Sequence, residues 1–111
     1  MASRQQKPHL VVVLAYDGLC TFEFACAVEV FALRRPELGV AWYDFAVCNV
    51  DGGPLRAAGG VTMQVPPSRG LLARADTIVV PGWRGIDSPV HPALQRQLRA
   101  AKASGARLCS I

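Results

Sequence analysis

Asp76-Thr77-Ile78-Val79-Val80-Pro81-Gly82-Trp83-Arg84-Gly85 is the stretch whose reading decides the fold. Ile78, Val79 and Val80 are apolar without alternation, the pattern of a strand covered on both faces, as in a parallel sheet. Pro81 has no N–H to give a central ladder, so the strand ends there. Gly82 permits a sharp turn and a close approach to its N–H. In open α/β sheets, ligands bind outside the carboxyl ends of the strands. Gly82 and Trp83 are therefore candidates for the border of a site, set against the plainer reading of a β–α turn with no further role.

The flanking sequence supplies the other elements. His9 to Tyr16 reads as a first buried strand closed by Asp17-Gly18. Thr21 is placed to cap a helix over Phe22 to Leu33. Only Glu23 and Glu29 are polar within that helix. A helix apolar almost all round is buried or lies at an interface. Glu23 shares a face with Cys26, Ala27 and Val30, and such neighbours disfavour an ionised carboxyl. A solvent-facing Glu in the first turn, favoured by the helix dipole, reads equally well.

Downstream, Trp42 to Val50 is a second strand with Asp51-Gly52-Gly53-Pro54 as its exit. Leu55–Ala57 and Val61–Val65 flank Gly59-Gly60 as a small hairpin. Gly70 to Ala75 has room for one helical turn. Pro92 opens a helix to about Ser104, with Leu94, Leu98 and Ala101 inward and Gln95, Arg96, Arg99 and Lys102 outward. Gly105 ends it. Ala106 to Ile111 begins another strand. The order β-α-β-hairpin-β-α-β predicts an α/β domain with a parallel sheet. Residues 1–8 are polar and expected to be a disordered tail.

Hydrophobic residues make up 51% of the chain and charged residues 18%, which excludes a disordered protein. The net charge of +4 is mild and its cations are scattered along the sequence. Arg96, Arg99 and Lys102 share helical spacing, which reads most simply as a solvated helix face. No nucleic-acid footprint is predicted within the chain. Cys20, Cys26, Cys48 and Cys109 form no Cys-x-x-Cys pair and have apolar neighbours, so buried free thiols in a reducing cytoplasm are expected. His9 and His91 have no metal-ligand spacing with them, and neither a metal nor a cofactor is predicted. No apolar run is long enough to span a membrane.

Three stretches together carry a resemblance. They are Tyr16-Asp17-Gly18 through Phe22-Glu23-Phe24-Ala25 to Glu29-Val30-Phe31, then Asp51-Gly52-Gly53-Pro54 with Gly59-Gly60, then Val79-Val80-Pro81-Gly82. From His9 onward the chain resembles the PfpI-type, class I glutamine-amidotransferase-like superfamily, and within it the N-terminal domains of AraC-type transcriptional regulators. The resemblance implies a flavodoxin-like three-layer sandwich, incomplete at the C-terminus, with residues 9–111 forming a partial ligand-sensing domain. The chain stops inside an apolar strand, so a longer parent is expected.

In such families that last strand runs into a turn carrying a cysteine, which here would follow Ile111. Cys109 lies within the strand and is expected to be a buried structural thiol. Glu23 stands where the family sets an acidic residue against the elbow cysteine, where a carboxyl can share its proton with a thiolate. Pro81-Gly82-Trp83 stands at the family's Pro-Gly-Gly turn, whose N–H groups can form an oxyanion hole. The replacement of the second glycine by Trp83 suits a sensor pocket better than an amidotransferase site. The resemblance therefore implies a dimerising regulatory domain that binds a small-molecule effector near Glu23, Gly82 and Trp83. DNA would be bound by a C-terminal domain outside this chain. The alternative is a cysteine-dependent hydrolase or hydratase of small molecules, isocyanide hydratase-like, in which Glu23 is catalytic. A scaffold that only dimerises is the third reading.

Overall fold

The first strand carries the architecture. In the computed structural model, which describes residues 7–67 and 70–111, β1 (Leu10–Ala15) is buried from Val11 to Ala15. Of the tail expected over 1–8, residues 1–6 lie outside the described residues. β1 pairs in parallel with β2 (Asp44–Asn49) on one side and with β5 (Thr77–Val80) on the other. β6 (Arg107–Ser110) adds beyond β5, giving the order β2-β1-β5-β6. β3 (Leu55–Arg56) and β4 (Thr62–Met63) form a separate antiparallel hairpin.

Alternate residues of β1 sort the core into two halves, because successive side chains of a strand point to opposite faces. Val11, Val13 and Ala15 pack with Phe24 and Ala27 of α1 (Thr21–Ala27) and with Leu55. Val12 and Leu14 pack with Ile78, with Leu71 and Leu72 of α2 (Leu71–Arg74), and with Leu94 and Ala101 of α3 (Pro92–Ala103). Helices therefore cover both faces of a parallel sheet, the predicted three-layer sandwich. Each fully buried Val or Leu contributes about 1.5–3 kcal/mol. Pro81 stops β5 as expected, and Pro92 occupies the first turn of α3.

Several elements depart from the sequence reading. Thr21 is the first helical residue rather than the cap; Cys20 holds that position, and its side chain makes no capping bond. The helix does not stay α-helical to Leu33. It widens into a π-type turn over Val28–Ala32 and ends in extended backbone at Leu33. The Trp42 indole N–H donates to the Phe31 carbonyl at 2.9 Å, satisfying one of the carbonyls at that helix end. Nor is this helix buried all round: Phe22 is 76% exposed and Val30 51% exposed, so one apolar stripe faces outward.

Among the thiols only Cys48 is buried; Cys20 and Cys26 are half-buried and Cys109 is exposed. The expectation of four buried thiols is thus corrected. Every residue of β6 is exposed because it is an edge strand with no helix laid over it among the described residues. Cys109 therefore has no apolar cover.

Candidate functional site

After β1 the chain leaves through α1 toward β2 on one side of the sheet, and later returns to β5 on the other. In such sheets ligands usually bind outside the carboxyl ends of the strands where the strand order reverses, here those of β1 and β5. Tyr16 and Cys20 reach this end from the β1 side, Pro81, Gly82 and Trp83 from the β5 side.

Gly82 is the closest point of contact. It has φ +54°, a left-handed conformation that favours glycine. A Cβ at this position would lie 2.8 Å from Cys20 Sγ and 3.8 Å from Glu23 Oε2. The Cys20 thiol and the Glu23 carboxylate therefore converge on a bare stretch of backbone. The thiol donates to the Trp83 carbonyl at 3.3 Å. The Gly82 N–H donates to the Ile111 carbonyl at 3.0 Å, and the Ile111 N–H to Val80 at 3.1 Å, so the end of β6 runs alongside this turn.

Tyr16 is fully buried and ties the two sides together. Its hydroxyl donates to the Pro81 carbonyl and accepts the Cys20 N–H at 3.4 Å. Burial pushes its ionisation well above the ordinary 10, with the Cys20 side chain adding to the rise and the Cys20 N–H opposing it. The phenol is a fixed hydrogen-bonding post rather than a base. The Trp83 ring lies against Tyr16 with centroids 4.8 Å apart, and its N–H donates to the Ser88 carbonyl at 3.0 Å. The indole is thus held at both ends.

Arg84 covers that ring, its guanidinium 4.7 Å from the Trp83 centroid. A two-pronged contact with Asp51, with Nη2–Oδ1 at 3.2 Å, and a bond to the Asp17 carbonyl at 3.2 Å hold it there. Burial raises the Asp51 carboxyl, but the Arg84 and Asp17 N–H bonds outweigh it and leave the group below its ordinary value. Asp17 in turn pairs with Arg56 of the hairpin at 2.7 Å, which lowers its carboxyl to about 2. Gly18 and Leu19 donate to the Arg56 carbonyl at 2.9 and 3.0 Å. These contacts fasten β3 to the exit of β1.

Of the expected site residues, Glu23 and Gly82 are brought together, the Glu23 carboxyl group facing the space a side chain at Gly82 would take. Trp83 joins them through its carbonyl while its indole turns toward Tyr16 and Arg84. Sequence reasoning missed Cys20, Tyr16 and the Arg84–Asp51 pair. One signal for Cys20 was available: it directly precedes the first helix after β1, at the carboxyl end of a parallel sheet. Among the described residues no group of three His, Cys, Asp or Glu side chains is gathered to hold a metal. No helix there is long and apolar enough to cross a membrane.

A four-stranded parallel sheet between helical layers defines the class, and solved structures share it. A candidate transcriptional regulator from Vibrio parahaemolyticus superposes with TM-score 0.78 at 19% identity, over 94% of this chain and 56% of that one. An AraC family transcriptional regulator from Pseudomonas putida gives 0.69 at 24%, over 93% and 64%. DJ-1beta of Drosophila melanogaster gives 0.68 at 18%, over 94% and 55%. The chain is therefore an α/β sandwich of the flavodoxin-like type found in the DJ-1 and PfpI proteins, and it spans between about half and two thirds of these solved chains. No family model matches it. It is 30% identical over 105 residues to the uncharacterized protein in the cpoL 5′ region of Streptomyces lividans, covering 94% of this chain and 73% of that protein. The chain belongs to the family of that protein.

Proposed function

We propose that the chain is the ligand-sensing part of an AraC-type transcriptional regulator, acting in the cytoplasm, and that Cys20, Glu23, Gly82 and Trp83 border its effector site. Residues 9–111 would be the sensor, which would dimerise, with a DNA-binding domain following beyond Ile111. The convergence of the Cys20 thiol and the Glu23 carboxylate on Gly82 carries this reading. A thiol, a carboxylate, bare backbone and an aromatic ring can orient a small polar molecule, and the site lies where parallel sheets bind ligands. The similarity in fold to regulators adds support at the level of analogy.

The geometry favours sensing over hydrolysis or hydration. The Gly82 N–H, one of the donors that the oxyanion-hole reading needs, is spent on the Ile111 carbonyl. The Trp83 indole fills space that a glycine would leave open. The decisive experiment is to read the coding sequence after Ile111. A cysteine codon at the next position, then a helical domain with helix-turn-helix spacing, is the expected result. A stop codon soon after completion of the sheet would overturn the regulator reading in favour of a small hydrolase or hydratase.

A further inference from the structure

Charge is unevenly distributed along the chain, and the fold gathers most of the excess on one helix. Residues 1–87 hold eight cations and eight anions, whereas residues 88–111 hold Arg96, Arg99, Lys102 and Arg107 with no carboxylate, which accounts for the whole net charge of +4. All four cations are exposed. The ion pairs among the described residues join Arg56 to Asp17 and Arg84 to Asp51, and use none of the four. α2, packed beside α3, adds the exposed Arg74 and no acid. Glu23 and Glu29 lie on the helix across the sheet, Asp17 and Asp51 are tied at the carboxyl ends, and the Asp76 carboxylate accepts the Leu10 N–H at the amino end, where the Asp76 carbonyl accepts the Arg107 N–H, so Asp76 neighbours Arg107 of β6. Asp87 precedes the N-terminus of α3, away from the cations in its later turns.

We propose that the outer face of α3 is a contact for the phosphate backbone of duplex DNA. A merely solvated helix face usually mixes charge signs at helical spacing, where opposite charges stabilise and like charges cost a few tenths of a kcal/mol. Here Arg96–Arg99 and Arg99–Lys102 are like-charged pairs three residues apart. Lys102 suits the C-terminal end of the helix dipole, but Arg96 sits too far from it to gain. A polyanion relieves this repulsion. The row from Arg96 to Lys102 rises about 9 Å along the helix. Arginine forks bind phosphate oxygens in two-pronged fashion. The residues between the cations are Gln97, Leu98, Ala100 and Ala101, of which Leu98 and Ala101 face the core. No outward Trp, Phe or Leu is offered to a lipid surface, as an interfacial helix would require. The contact is therefore electrostatic and indifferent to sequence, positioning the domain on DNA rather than reading bases.

The choice of DNA as the polyanion rests on the regulator reading; the charge sorting does not. The test is fluorescence anisotropy of the full chain with a labelled duplex of about 20 base pairs, from about 50 to about 200 mM salt. Three to four phosphate contacts give a slope of log K against log salt of about −2.7 to −3.6, a loss on the order of a hundredfold across that range. R96Q/R99Q/K102Q is expected to remove about 3 from the slope and most of the binding. R34Q/R35Q, beyond the helix on the other face, is expected to change neither. No binding at low salt, or equal slopes for wild type and the triple variant, would overturn the proposal. So would binding to vesicles of anionic phospholipid with none to the duplex. Duplex binding through α3 in a protein whose gene lacks a helix-turn-helix domain would leave this contact standing while refuting the regulator reading.

Discussion

Gly82→Ala perturbs the candidate site at its tightest point. The new Cβ would stand 2.8 Å from Cys20 Sγ and 3.1 Å from Cys20 Cβ, at φ +54°. Left-handed backbone costs a residue with a side chain about 1–2 kcal/mol. Forcing a methyl into a packed contact adds about 1–3 kcal/mol. The variant should therefore lose about 2–5 kcal/mol. Gly52→Ala is the control: its φ is +72° and a Cβ there meets nothing within 4 Å. It should show the backbone cost alone, about 1–2 kcal/mol. Removing the thiol in Cys20→Ala relieves the closest contact. In that background the penalty of Gly82→Ala should fall by about 1–2 kcal/mol, a coupling of the size seen between touching residues. Urea unfolding followed by Trp fluorescence measures all four variants. Equal losses for Gly82→Ala and Gly52→Ala, with no rescue by Cys20→Ala, would refute the convergence of Cys20 on Gly82.

Three further outcomes are expected. Tyr16→Phe leaves the Pro81 carbonyl without its buried donor and should cost about 1–3 kcal/mol in the same unfolding assay, with a change below that range contradicting the tie. The Asp17 carboxyl is lowered from an ordinary 3.8 to about 2 by Arg56, so the stability it contributes is present above pH 3.8 and lost as the pH falls toward 2. Arg56→Gln should flatten the acid limb of the stability profile across that window, and an unchanged limb would exclude the pair. Under native conditions a thiol-specific disulfide reagent should modify Cys109 first and Cys48 only on unfolding, because burial shields Cys48 and pushes its thiol up.

The parts of the fold set by local chemistry could be read from the sequence. Ile78 to Val80 ending at Pro81, the Val-rich β1, the hairpin around Gly59-Gly60 and the Pro92-to-Gly105 helix all follow from periodicity and from residues that stop or start elements. What failed depended on contacts far apart in the chain. Cys20 looked like one more apolar thiol because its partners, Gly82 and Trp83, lie more than sixty residues away. The Arg84–Asp51 and Arg56–Asp17 pairs were invisible for the same reason. The helix after Cys20 could only be called apolar; whether a neighbour covers the Phe22 and Val30 stripe is set by the layers, and among the described residues none does. Cys109 was misjudged because an edge strand has the same residue pattern as a central one until its neighbours are known. The cations of α3 showed their helical spacing in the sequence and were read as a solvated face; that no carboxylate pairs with them among the described residues is seen only in the fold.

The site itself is tested most directly by amide NMR. Isotope-labelled chain would be titrated with a set of small carboxylates, amides and nitriles, and shifts followed residue by residue. The account predicts that binders perturb Cys20, Glu23, Gly82 and Trp83 together, and that Trp83→Gly changes which compounds bind. Shifts confined to the cavity of about 190 Å³ lined by Cys48, Leu71, Leu72 and Ala101, with none at Gly82, would contradict it.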